Sequence, residues 1–155
     1  MAEEKDIKGQ YAELMKKYKL PDFDELEHNF EISGVEDNDL LRGIRHKMSE
    51  KLEHYAKLLE DYIQPDSSFS SMYEIKDFDE KHKQKVIALF RKLMVPYREC
   101  VKLNLNLGEE KDAKFIIEFS TAWKEMKPEL AELIDFAKRS WQTQDKEDNF
   151  KSYFG

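Results

Sequence analysis

The sequence contains few residues of the kinds that interrupt a chain or cross-link it. It has five glycines, four prolines and a single cysteine, Cys100, in 155 residues. An all-β fold needs a turn residue every ~8 to 12 positions, so the scarcity of glycine and proline favours long helices. One cysteine excludes an intrachain disulfide, which is typical of proteins in a reducing compartment. We therefore expect an all-α protein with a free thiol.

Long apolar runs are also missing. No segment approaches the ~18 consecutive apolar residues of a membrane span. Residues 1–8 are mostly charged and do not resemble a secretory signal. The sequence therefore predicts a cytoplasmic protein with no membrane partner.

Basic residues are outnumbered, with 26 Lys and Arg against 33 Asp and Glu and a formal net charge of -7. This balance disfavours direct nucleic-acid binding as the main function, because phosphate recognition needs concentrated positive charge. A local basic patch is still compatible with this net charge. Aromatic residues make up 12% of the chain, too many for a disordered acidic segment. The length matches one ordinary domain.

The spacing of apolar residues predicts two short helices and then three long ones. The first short helix covers about residues 7–17, and the second follows Asp22 as its N-cap and ends at Ser33-Gly34. The third helix starts either at Ser33, through a capping box with Glu36, or at Asn38, and ends at Ile63. Its apolar seam alternates steps of three and four and consists of Leu41, Ile44, Met48, Leu52, Tyr55, Leu59 and Tyr62.

The fourth helix is predicted to open at Asp77 and Glu80, which have capping-box spacing, and the fifth follows Gly108. Pro96 should kink the fourth helix, and Pro128 should either kink the fifth or begin a new helix. Residues 64–76 read as a loop between the third and fourth helices. The predicted fold is thus a single antiparallel bundle of three long helices, the third, fourth and fifth, plus two short N-terminal ones. We expect residues 1–144 to form this domain and residues 145–155 to form a flexible tail with an aromatic end.

Metal sites in helical bundles use Glu-x-x-His pairs from two helices. The sequence has one weak counterpart, Asp79 with His82, which is half of such a site. A capping or core-edge role for His82 is the stronger interpretation, and we predict no metal.

Two pairs of acids resemble the paired motifs with which all-α nucleotide pyrophosphatases hold magnesium: Glu50 with Glu53, and Glu132 with Asp135. The resemblance implies a metal-dependent hydrolase. The positions of these acids along their helices argue against a hydrolase, because each pair lies off the apolar face of its own helix. In a chain with this many acids, such spacings are expected by chance.

Other catalytic patterns are weak. Cys100 falls on the apolar face of the fourth helix, where a buried structural thiol is the simpler interpretation. No glycine-rich phosphate-binding loop is present. We therefore predict no cofactor and no catalytic residue.

Arginines could form a local site for an anion or an acidic peptide if the third and fourth helices are neighbours. Salt bridges to the abundant acids are the simpler alternative. The candidates for this site are Arg42, Arg45, Arg91 and Arg98.

The last residues, E-D-N-F-K-S-Y-F from Glu147 to Phe154, resemble the PCNA-interacting peptide in the spacing of Phe150, Tyr153 and Phe154. That peptide has a glutamine where this chain has Glu147, and an aliphatic residue where it has Phe150. The resemblance covers eight residues and implies a sliding-clamp-binding accessory protein. An aromatic tail that packs on its own bundle is the alternative.

The predicted function is that of a non-enzymatic protein-protein interaction or adaptor module, because the polar residues point outward and the apolar faces read as core. The expected partner is another protein, and a homodimer is a further possibility. The predicted contact residues are the aromatic and apolar side chains of the loop and of the tail: Phe69, Met72, Tyr73, Phe150, Tyr153 and Phe154.

Overall fold

The computed structural model describes residues 2–36 and 38–142, and within these ranges the chain forms helices and no strand. This confirms the all-α prediction. A short 3-10 helix, Ile32–Gly34, lies between the second and third α-helices. The α-helices are α1 (Ala2–Tyr18), α2 (Phe23–Phe30), α3 (Leu40–Ile63), α4 (Phe69–Ile75), α5 (Glu80–Leu103) and α6 (Glu109–Gln142).

The three long helices α3, α5 and α6 contact one another, and the most extensive contact joins α3 to α5. Arg45, near the start of α3, bonds to Cys100 near the end of α5. At the opposite end, Tyr62 of α3 lies against Phe78, which precedes α5. The predicted seam of α3 is buried throughout apart from the half-buried Tyr55.

The shorter helices pack mainly against α3 and α6. Phe30 of α2 lies against Phe119 and Trp123 of α6, with ring centroids 5.6 and 5.9 Å apart. In α4, the Tyr73 ring stacks on Trp141 at 4.4 Å. Helix α5 shares extensive contacts only with α3 and α6 among the described elements. None of the described helices combines the length and apolar content that a membrane span requires.

The prediction of a loop over residues 64–76 is wrong, because this segment contains α4. Ser68 is the N-cap of this helix, and its hydroxyl accepts a hydrogen bond from the Ser71 amide. The rest of the stabilisation is tertiary, since Phe69 and Tyr73 lie against Trp141 of α6. A helix of seven residues depends on such packing, and local propensity alone does not reveal it.

Three predicted caps are also wrong. The amide and hydroxyl of Ser33 both donate to Glu27, so Ser33 belongs to the 3-10 turn. Helix α3 begins later, and its N-cap is Asp39 rather than Asn38. Helix α5 is capped by Asp79, whose carboxylate accepts from the His82 amide. Asp77 instead accepts a hydrogen bond from the Ser140 hydroxyl of α6.

Pro96 lies inside α5 and Pro128 inside α6, and both helices continue through the proline. A new helix therefore does not begin at Pro128. The kinks expected at these two positions stay predictions.

One ion pair lies in the core. Nε of Arg45 in α3 donates to Oδ1 of Asp112 in α6 at 2.6 Å, and Nη1 donates to the backbone carbonyl of Cys100 in α5 at 3.1 Å. Arg45 is 0% and Asp112 1% exposed. Because removing charges from water is costly, each of these two groups depends on the other. Nη2 of Arg45 and Oδ2 of Asp112 have no partner among the described residues.

Replacing Asp112 with leucine should lower the free energy of unfolding by about 3–5 kcal/mol, because an uncompensated guanidinium stays buried. The double variant Arg45→Met/Asp112→Leu should recover most of that loss. Lys57→Met is the matched control, since Lys57 pairs with Glu53 on the exposed face of the same helix and should cost below about 1 kcal/mol. Urea unfolding measures all three variants. A loss for Asp112→Leu no larger than that of the control would contradict this role of the pair.

Candidate functional site

A groove runs between α5 and α6 on the surface. Its two larger parts adjoin, have volumes of about 500 and 440 Å³, and share Glu99, Phe115 and Glu118 as lining residues. A smaller hollow of about 240 Å³ continues towards the other end of the helices and shares Lys92 with its neighbour. Only α5, α6 and the turn between them line these hollows. We call this surface the α5–α6 groove.

The floor of the α5–α6 groove is apolar. Phe115, Phe119 and Met126 of α6 are buried beneath it, and Pro96 of α5 forms part of its wall. At its edge, Val95 is 74% exposed, and Leu105 at the loop end is 87% exposed. Clustered apolar surface in contact with water is typical of sites where another molecule binds.

The rim of the groove carries an excess of negative charge near its centre. Glu99, Glu118 and Glu125 line the central hollow together with one cation, Lys92. The adjoining hollow at the loop end is lined by three lysines, Lys102, Lys111 and Lys114, and Lys114 lies 4.0 Å from Glu118. The ammonium group of Lys92 is already bound by the carboxylate of Glu129 at 3.1 Å. Glu99 and Glu125 have no hydrogen-bond or ion-pair partner in the described ranges. The centre of the groove therefore presents free carboxylates beside an apolar floor.

Sequence reasoning missed this groove. A signal was present in Val95, an apolar residue two positions after Leu93 and therefore outside the buried stripe of α5. Phe115, directly before Ile116 on α6, lies outside the predicted apolar series but is buried beneath the groove. Periodicity shows that such residues lie off the seam, but it does not show whether another helix covers them.

The predicted contact residues of segment 64–76 form part of a second apolar surface. Phe69 is 41% exposed, whereas Met72 and Tyr73 are half-buried. The ammonium group of Lys76 lies 3.7 Å from the centre of the Tyr73 ring. Trp141 of α6 completes this cluster. The predicted contact residues Phe150, Tyr153 and Phe154 lie outside the described residues.

Asp79 and His82, the weak metal candidates, form a cap. The Asp79 carboxylate accepts a hydrogen bond from the His82 amide, and Nδ1 of His82 lies 2.6 Å from the same oxygen, Oδ1. These two hydrogen bonds lower the pKa of the Asp79 carboxyl. The His82 ring stacks on Phe136 with centroids 4.0 Å apart. Across residues 2–36 and 38–142, no group of three or more His, Cys, Asp or Glu side chains is arranged to hold a metal ion.

The two pairs of acids that resemble pyrophosphatase motifs lie on the surface. Glu50 and Glu53 of α3 are ion-paired with lysines of the same helix, Lys47 and Lys57. Glu132 of α6 lies 3.8 Å from Lys85 of α5. Asp135 is exposed.

The four arginines have different surroundings. Arg45 is enclosed and bound to Asp112. Arg42 is partly exposed and lies 3.5 Å from Asp39. Arg91 and Arg98 are exposed, and the Arg98 guanidinium lies over the Tyr97 ring. Of these four arginines, Arg45 makes the shortest contact with a carboxylate, and that carboxylate belongs to its own chain.

Cys100 is buried at the Arg45 guanidinium. Burial raises the pKa of its thiol to about 11, although Arg45 and a hydrogen bond with Ser49 act in the opposite direction. Since the thiolate is the nucleophile, this environment suppresses its chemistry near neutral pH.

At pH 8, alkylation of Cys100 by iodoacetamide should be about a hundredfold slower in the folded protein than in urea, because a pKa of about 11 instead of 9.0 lowers the thiolate fraction by that factor. Mass spectrometry of quenched samples measures both rates. Comparable rates in the two states would restore Cys100 as a candidate nucleophile.

Comparisons of this chain with protein-family models, with curated proteins and with solved structures each returned no match.

Proposed function

We propose that this protein is a non-enzymatic interaction module whose α5–α6 groove binds an amphipathic helix of a partner protein. The observation that carries the proposal is the open apolar floor, flanked by Val95 and by unpaired carboxylates. An amphipathic helix laid into a groove is a recurring mode of protein recognition. It buries apolar side chains on both molecules, which supplies the main driving force.

The architecture supports a helical partner. We propose that α3, α5 and α6 form an antiparallel three-helix bundle, in which the α5–α6 groove is the place that a fourth helix takes in four-helix bundles. From Lys85 to Leu105 the groove follows α5 over about 30 Å, which is the length of a helix of about 20 residues.

Charge selects among amphipathic helices. Glu99, Glu118 and Glu125 give the centre of the groove a negative rim, and two of them have no partner in the described part of the chain. A partner helix with lysine or arginine beside its apolar stripe would pair with them, whereas an acidic helix would be repelled. The proposed partner is therefore a basic amphipathic helix, and a cytoplasmic setting agrees with the single free thiol.

Two alternatives use other residues. A metal-dependent hydrolase would need Glu50, Glu53, Glu132 and Asp135 to converge, and three of these carboxylates are near lysines instead. A metal screen by thermal shift with magnesium, manganese, zinc and iron tests the hydrolase, because a bound ion raises the melting temperature.

A clamp-binding protein would use residues 147–154. Deletion of residues 145–155 tests this alternative, because it should abolish binding to a sliding clamp.

The groove can be tested with two synthetic helical peptides of about 20 residues that share one leucine stripe and differ only in flanking lysine or glutamate. Fluorescence anisotropy should show binding of the lysine peptide and at least tenfold weaker binding of the glutamate peptide. Val95→Gln should weaken the lysine peptide at least tenfold, because it replaces apolar surface at the groove edge with a polar amide that loses water on binding, without changing the charge of the groove.

Val101→Gln is the matched control, since Val101 is on the same helix, is 44% exposed and does not line the groove. It should leave the affinity within about twofold. The double variant Glu99→Lys/Glu125→Lys should reverse the preference between the two peptides. Equal losses for Val95→Gln and Val101→Gln, or an unchanged preference in the double variant, would rule out the groove as the docking surface.

A further inference from the structure

A separate hollow lies on the other side of α6, where the end of α2 approaches α3. It has a volume of about 210 Å³. Its inner wall is apolar and is formed by Tyr55, Trp123, Leu130 and Ile134. Trp123 is 3% exposed, and its ring lies 5.9 Å from that of Tyr55, so the wall is a fixed aromatic surface. We call this hollow the α2–α6 pocket.

Two lysines line the α2–α6 pocket, Lys51 of α3 and Lys127 of α6, together with the imidazole of His28 of α2. None of the described lining residues is an acid. This is unexpected in a chain with a net charge of -7. Lys51 has no ion-pair or hydrogen-bond partner in the described ranges. Lys127 donates to the side-chain oxygen of Asn29 at 3.0 Å, a neutral partner that leaves its charge uncompensated.

The nearby acids of α2 are engaged elsewhere. Glu25 binds Lys124 at 2.8 Å, and Glu27 accepts hydrogen bonds from the amide and the hydroxyl of Ser33. These contacts hold both carboxylates in other interactions. The positive charge at the mouth of the pocket is thus not cancelled by either of them.

A buried donor adds to this arrangement. The indole N–H of Trp123 is buried and has no acceptor among the described residues, although Trp123 lines the pocket. A buried donor without an acceptor costs about 1–3 kcal/mol. The side chain that forms the wall therefore carries an unsatisfied N–H in addition to the three nitrogen groups at the rim.

We infer that the α2–α6 pocket binds a small apolar carboxylate, with the apolar body against Trp123 and Tyr55 and the carboxylate between Lys51 and Lys127. Size limits the body of this ligand. An engineered cavity of about 150 Å³ accommodates benzene, and pockets for drug-sized ligands begin near 300 Å³. A volume of about 210 Å³ fits one ring with a short acidic side chain. This inference does not rest on the proposed function, because none of the residues that line the α2–α6 pocket lines the α5–α6 groove.

The probe for the test is 3-phenylpropionate, and its amide is the neutral control. In the full chain with Trp141→Phe, Trp123 is the one remaining tryptophan, so its fluorescence and its indole N–H resonance report on the pocket alone. The carboxylate should produce a saturable change in both signals, and the amide should bind at least tenfold more weakly. Equal affinity of acid and amide would overturn the inference.

Two variants locate the site. Lys51→Gln/Lys127→Gln should weaken 3-phenylpropionate at least tenfold, whereas Lys138→Gln, an exposed lysine of the same helix that lies outside the lining, should leave it within about twofold. Ala131→Leu places a larger side chain at the exposed edge of the pocket and should abolish binding while the melting temperature stays unchanged. Undiminished binding in either pocket variant would place the ligand elsewhere and refute the proposal.

Discussion

The Arg45–Asp112 pair holds together the ends of the three long helices. A single guanidinium on α3 binds a carboxylate on α6 and a backbone carbonyl on α5, and all of these groups are removed from water. Such a pair contributes little net stability compared with a well-packed apolar core, but either partner alone is strongly unfavourable. It therefore discriminates against packings that separate α3 from α6. Phe115 follows Asp112 by one turn and Glu99 precedes Cys100, so the same contact positions the loop end of the α5–α6 groove.

The sequence revealed the apolar seam of α3 because each position follows from local periodicity. It did not reveal the ion pair, since Arg45 and Asp112 are 67 residues apart and their meeting depends on how α3 and α6 align. The sequence makes Arg45 a candidate for an anion site, with a salt bridge to one of the abundant acids as the simpler alternative. Both interpretations use the correct chemistry, a cation that binds a carboxylate. What local spacing lacked was the identity of the partner.

Boundaries were wrong where tertiary contacts compete with local signals. Asp77 and Asp79 are both plausible N-caps of α5 from the sequence. In the structure Asp77 accepts a hydrogen bond from the Ser140 hydroxyl of α6, and Asp79 caps the helix. Helix α4 likewise depends on Trp141, which is 68 to 72 residues beyond Tyr73 and Phe69 in the sequence. Both candidate surfaces escaped detection for a related reason. A groove or pocket forms where no other helix covers an apolar face. Periodicity shows which face of a helix is apolar, but it does not show what covers that face.

Net charge describes the whole chain, whereas recognition depends on where the charges lie. The chain carries seven excess negative charges, yet two lysines and His28 line the α2–α6 pocket without an acid. In the central hollow of the α5–α6 groove, three glutamates stand beside one lysine. Helix α6 separates the two surfaces and contributes to both. Phe119 lies under the groove, and its ring is 5.9 Å from that of Trp123, which lines the pocket. Because protein interiors are close-packed, only a ligand that displaced the indole of Trp123 would disturb Phe119. A ligand that binds against the indole without moving it leaves the groove floor in place, and the two surfaces can then be occupied separately.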